Sequence, residues 1–98
     1  MKTPVITSQD YIVYLEPYQQ YNFIHCDCFK WSKQVKHSLV QDITTLANLY
    51  RKDIYCLHEL GDNKHLKFLK IFDFTYVQDV TGFDNITRQL FVRKYNGN

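Results

Sequence analysis

Ninety-eight residues suffice for one domain with a single core and leave no room for a second lobe. Hydrophobic residues at 45%, aromatics at 16% and only 3 Gly and 2 Pro exclude a disordered or loop-dominated chain. Twelve Lys plus Arg against ten Asp plus Glu give a net charge of +2, too weak a field for a general nucleic-acid binder, so no specific nucleic-acid partner is expected.

The first nine residues hold no apolar run of signal-peptide length, and no segment approaches the roughly 20 apolar residues of a membrane span. A cytoplasmic protein with no membrane partner is the expectation. Cys26, Cys28 and Cys56 are odd in number and lack framework spacing, which reads as reduced thiols.

The predicted elements begin with a strand at Tyr11 to Leu15, rich in aromatic and β-branched residues and stopped by Pro17. A second strand, Tyr21 to Phe29, follows closely enough to form an antiparallel hairpin with it. Alternation puts Ile24, Cys26 and Cys28 on one face, and Phe23, His25 and Asp27 on the other.

From Ser32 the period lengthens: Val35, Leu39, Ile43, Leu46 and Tyr50 recur at helical intervals, giving a helix of about five turns. Ser32 is the expected N-cap, and Arg51 and Lys52 suit the negative end of the dipole. Asp53 to Leu60 returns to strand character until Gly61, and Asp62 or Asn63 then caps a short helix, Lys64 to Phe72. Phe74 to Val80 and Arg88 to Tyr95 complete a second hairpin around the polar loop Gly82 to Thr87.

A strand, a long helix and another strand imply a right-handed parallel crossover between Tyr21 to Phe29 and Asp53 to Leu60. The fold class is therefore α+β or α/β. It has a mixed sheet of about five strands, one long and one short helix, and the order β-β-α-β-α-β-β, in one domain over 1–98.

This order, from Tyr11 to Tyr95, resembles the C-terminal two-thirds of the GNAT acetyltransferase superfamily, and His65 to Phe74 (HLKFLKIFDF) is similar to its late-helix signature. With the Cys-aromatic-Lys stretch before the long helix, it is also similar to the acetyltransferase-like internal virion proteins of short-tailed bacteriophages. The resemblance implies an acetyl-coenzyme A site at the splay of the parallel strands, with pyrophosphate at the long helix's N-terminus.

Residues that carry this over are Lys30, Ser32, Lys33 and Gln34, with Lys36 adding charge beside the helix start. The family's glycine-rich turn is replaced here by Phe29-Lys30-Trp31-Ser32, with no glycine to let a pyrophosphate approach the backbone. Asp62 falls at the signature's asparagine, His65 at its small residue, Leu69 at the tyrosine that often serves as general acid, and Asp73 at its glycine; Phe68 and Phe74 agree. Leucine cannot protonate a thiolate. No counterpart of the family's first strand or of its acceptor-binding helices is expected ahead of Tyr11.

Two other chemistries have visible residues. His25, Cys26, Cys28, Cys56 and His58 form a zinc-type set, but alternation sends His25 away from Cys26 and Cys28, so no metal site is expected. A Cys-His nucleophile could draw on Cys56 and His58, which share a strand face, with Cys26 or Cys28 on the neighbouring strand.

Eight tyrosines exceed what a small core can bury with their hydroxyls satisfied, which points to a protein partner or self-assembly. The leading expectation is a catalytically degenerate acetyltransferase-like domain acting as a structural or protein-binding component, in a virion or a host cytoplasm, with no cofactor. The alternative is a minimal acyl-coenzyme A-dependent N-acetyltransferase, with His25, His58 or Glu59 as base, Tyr76 as acid and acetyl-coenzyme A as donor.

Overall fold

The computed structural model describes residues 1–95. Six strands form one mixed sheet: β1 (Thr3–Thr7), β2 (Tyr11–Tyr18), β3 (Tyr21–Cys28), β4 (Ile54–Glu59), β5 (Thr75–Thr81) and β6 (Thr87–Arg93), in the spatial order β1-β2-β3-β4-β6-β5. Two helices, α1 (Lys33–Tyr50) and α2 (Asn63–Ile71), join β3 to β4 and β4 to β5. The expected hairpins β2/β3 and β5/β6 and the parallel crossover β3/β4 are all present.

The sheet has six strands rather than five. Thr3–Thr7 pairs antiparallel with β2 across a bulge between Pro4 and Ile6. Its side chains are exposed except for the half-buried Ile6, so backbone pairing rather than an apolar face holds it, and no alternation betrays it in the sequence.

β2 also runs beyond Leu15, through Pro17 to Tyr18. Tyr18 pairs with Tyr21 to close a two-residue turn, and Pro17 faces Asn22 in the next pair. In that non-hydrogen-bonded pair the prolyl nitrogen points away from β3, toward the side where β1 has already ended, so its missing N–H costs no ladder bond.

α1 begins where Ser32 accepts a hydrogen bond from the Val35 N–H at 3.1 Å. Its buried stripe is Val35, Leu39, Ile43 and Ala47, and the expected Leu46 and Tyr50 are half-buried and packed against the same core. The helix stops at Arg51 in the left-handed region (φ 60°), whose N–H reaches back to the Ala47 carbonyl. α2 is capped by Asp62, which accepts from the His65 N–H at 3.1 Å.

Both helices pack on one face of the sheet. Register aligns Tyr11, Val13 and Leu15 of β2 with Cys28, Cys26 and Ile24 of β3, and Cys56 of β4 with Phe91 of β6. That face joins the stripe of α1 and Leu69 and Phe72 near the end of α2 in a single core. On the opposite face, free of helices, Tyr21, Phe23 and Tyr55 cluster, with Tyr21 and Tyr55 edge-on at 4.8 Å. Leu57 beside them is exposed.

Candidate functional site

The sheet opens in its middle. β3 and β4 share a single aligned residue pair, Phe23 with Tyr55, although each strand continues toward its C-terminal end. Beyond that pair their peptide groups have no partner across the gap, and the carboxyl ends of parallel strands are where open α/β sheets receive ligands. A cleft of about 890 Å³ occupies the gap, within the range of small-molecule sites.

The cleft reaches both faces of the sheet. Cys26 and Cys28 of β3 and Cys56 of β4 line it on the helix side, together with His65 and Phe68 of α2. Tyr21, Phe23, His25 and Leu57 line it on the open side. The walls are mostly apolar, and a small set of polar atoms converges on the helix side.

That set is built by β4 and α2. Alternation puts Cys56 and His58 on the helix face of β4, and the Gly61 turn, with φ 91°, folds α2 back so that His65 meets them. His58 Nδ1 lies 2.9 Å from His65 Nδ1, with the ring planes 20° apart and the centroids 5.1 Å apart, so the two rings meet edge to edge. His65 Nε2 faces Cys56 Sγ at 3.8 Å. His58 is only 3% exposed and meets the edge of Phe91, whereas His65 opens onto the cleft.

Electrostatics set the resting charge of these groups. Burial, then neighbouring His58, lowers the His65 pKa against the opposing pull of Asp62 and Glu59, so His65 rests as neutral imidazole near pH 7. Burial pushes the Cys56 thiol up to about 12 and, with Cys28 and Asp27 nearby, Cys26 up to about 11. Neither is a ready thiolate, which speaks against an activated cysteine nucleophile at rest.

The residues singled out in the sequence scatter around this centre. His58 is in it. His25 sits on the open face, where its Nε2 is 2.9 Å from Glu16 Oε1, and it lines the cleft from that side. Glu59 is exposed on the open face and pairs with Arg88 at 3.5 Å. Tyr76, on the outer strand β5, donates to Asp79 at 2.9 Å and packs against Phe91, so β6 stands between it and Cys56.

Lys30, Ser32, Lys33 and Gln34 gather at the start of α1 but do not line the cleft. The Ser32 hydroxyl is engaged in its cap, and the Lys30 carbonyl accepts from Cys28 Sγ at 3.3 Å. Trp31 packs toward Phe68 of α2 with ring centroids 6.0 Å apart and does not line the cleft. In the sequence His65 has only a motif position, at the small residue of the late-helix signature, and no chemical role. The available signal was its place three residues after a capping Asp62 and seven after His58, across a glycine turn.

All three cysteines are unpaired. Among the described residues no group of three or more His, Cys, Asp or Glu is arranged to hold a metal ion, and no helix is long and apolar enough to cross a membrane.

No protein-family model matches the chain, and no curated protein matches it. Among solved structures it is similar to one described as "Putative GnaT-family acetyltransferase" from Bordetella pertussis, with a TM-score of 0.68 and 11% sequence identity. The match covers 86% of this chain and 56% of that one, so the chain spans a little over half the length of that structure. At this identity the likeness is one of fold: the chain has a GNAT-like mixed sheet with two helices.

Proposed function

We propose that this chain takes an acyl-coenzyme A thioester into the cleft between β3 and β4 and transfers the acyl group to an amine. The observation that carries the reading is the 890 Å³ opening at the single pairing Phe23 to Tyr55, walled by apolar side chains and provided with one histidine pair. The GNAT-like fold supports it by analogy.

The residues present fit a thioester arm better than a pyrophosphate. The gap-facing backbone of Cys26 and Cys28 and the apolar walls at Cys26, Leu57 and Phe68 suit an extended amide chain. At the start of α1, Lys30, Lys33 and Lys36 supply charge, while the stretch from Phe29 to Ser32 holds no glycine. Weak dependence of affinity on the nucleotide end is therefore expected.

Calorimetric titration with acetyl-coenzyme A, beside an acetyl thioester of pantetheine alone, tests the reading. Binding of both, with the full molecule gaining less than about tenfold, is the expected result, since exposed charge at a helix terminus contributes only about 0.3–1 kcal/mol. No binding of either at millimolar concentration overturns it.

One observation favours a second reading, in which the domain is catalytically silent and serves as a protein-binding component. Leu69 stands where the resembling family has its acid, is 2% exposed and is packed in the core, so it contributes nothing to proton transfer. A chain that binds acetyl-coenzyme A but releases no thiol with any amine would support this second reading.

A further inference from the structure

We propose that His65 moves the proton in this cleft and that His58 is the positioning residue that fixes the tautomer of His65. The inference rests on the acyl-transfer reading above and assigns its chemistry to named atoms.

Two Nδ1 atoms 2.9 Å apart cannot both carry hydrogen or both be bare. If His65 Nδ1–H donates to the Nδ1 lone pair of His58, the His65 Nε2 is left bare and faces Cys56 Sγ beside the cleft. A thiol is a weak partner that an incoming amine displaces easily. In this arrangement the pair also tolerates protonation of His65 at Nε2, because the Nδ1 bond is unchanged. In the opposite tautomer Nε2 would already hold its proton and could accept none. His58, 3% exposed and held against Phe91, has little freedom to turn away.

The chemistry closes with one proton. As the amine nitrogen bonds to the thioester carbonyl carbon, that nitrogen becomes acidic and its proton passes to His65 Nε2. The carbon–sulfur bond breaks, and the departing thiolate takes the same proton from His65. An amide and a free thiol result with no net proton change, and one imidazole serves as base and then acid. Leu69, one turn further along α2, is not required for either step. The titratable groups around His65 are Cys56, His58 and Glu59 of β4 and its own cap Asp62; burial and His58 lower its pKa, while the two carboxylates oppose.

Nitrogen-15 NMR of the histidine side chains in the full chain gives the first readout and needs no ligand. The expected spectrum shows His65 bare at Nε2 and protonated at Nδ1, with His58 the reverse; a protonated Nε2 on His65 overturns the proposal. The second readout is thiol release from acetyl-coenzyme A with n-butylamine as acceptor. His65→Gln is expected to lose about 100-fold or more in kcat while acetyl-coenzyme A affinity stays within about twofold. His58→Asn is expected to slow release and, in the nitrogen-15 spectrum, to leave His65 as a mixture of its two neutral tautomers, because the acceptor that fixes the Nδ1 proton is gone.

His65→Gln turning over at the wild-type rate overturns the assignment and leaves acyl transfer standing. Binding of acetyl-coenzyme A with no thiol release also overturns it, leaving only the binding site. Absence of acetyl-coenzyme A binding overturns the acyl-transfer reading and the role of His65 with it.

Discussion

The hydroxyl of Tyr11 on β2 donates a short hydrogen bond to the Asp42 carboxylate on α1, tying the sheet to the middle of the long helix across 31 residues of sequence. Tyr11 is 3% exposed at the edge of the core, and its phenol gains a charged partner there. Removal of the hydroxyl in Tyr11→Phe leaves Asp42 to water on its open side. The expected loss is about 1–2 kcal/mol in urea unfolding.

The same contact makes stability depend on alkaline pH. Burial, then the bond to Asp42, raises the Tyr11 pKa from 10.0 to about 12. Between these values the unfolded chain has lost the phenol proton and the folded chain keeps it, so stability is full below pH 10 and falls as pH rises toward 12. The urea midpoint of the wild type should drop over this window more steeply than that of Tyr11→Phe. Parallel slopes would show that the phenol does not report the fold.

Cysteine alkylation should proceed in a fixed order. Cys28 is exposed, Cys26 is half-buried with its pKa raised to about 11, and Cys56 is buried with its pKa raised to about 12. At pH 8 the thiolate fraction of Cys56 is about a thousandfold below that of an ordinary cysteine. Mass spectrometry after timed iodoacetamide treatment should find Cys28 modified first and Cys56 last. Early labelling of Cys56 would mean that the β4–α2 wall opens.

Arg51 adopts φ 60° at the end of α1, a conformation that costs an L-residue about 1 kcal/mol. Arg51→Gly relieves that strain while keeping the N–H bond to the Ala47 carbonyl. A gain of about 0.5–1 kcal/mol is expected in thermal or urea unfolding, offset in part by the greater freedom of glycine in the unfolded chain.

Leu39 is fully buried at the centre of the α1 stripe. Leu39→Ala is expected to cost about 2–5 kcal/mol by leaving a cavity between α1 and the sheet. In a domain of this size that is a large share of the total stability, and the variant should show a markedly lower urea midpoint.

The periodic elements were legible in the sequence because burial imposes the period. Val35, Leu39 and Ile43 announced α1, and that helix between two apolar strands announced the parallel β3/β4 crossing, whereas its splay was implied only by the resemblance to the acetyltransferase superfamily. β1 was not legible, since only Ile6 of its five residues is even half-buried and the strand is held by main-chain bonds. Ala47 joins the buried stripe, and Leu46 and Tyr50 flank it, half-buried against the same core.

The candidate site was legible only where one strand carries it. Alternation alone put Cys56 and His58 on one face of β4. Their meeting with His65 depends on the angle at which the Gly61 turn returns α2, a three-dimensional property that spacing does not encode. Tyr76 and Glu59 were chosen for their chemistry, but register sends one behind β6 and the other to Arg88 on the open face.

The single pairing of Phe23 with Tyr55 has a mechanical consequence. On one side of it lies the antiparallel trio β1-β2-β3, and on the other the trio β4-β6-β5. The two trios are roofed by one set of side chains, among them Leu39 and Ile43, and share almost no peptide ladder. Tension applied across the sheet at β1 and β5 therefore loads that apolar roof directly, and the molecule tears along its cleft before either trio frays.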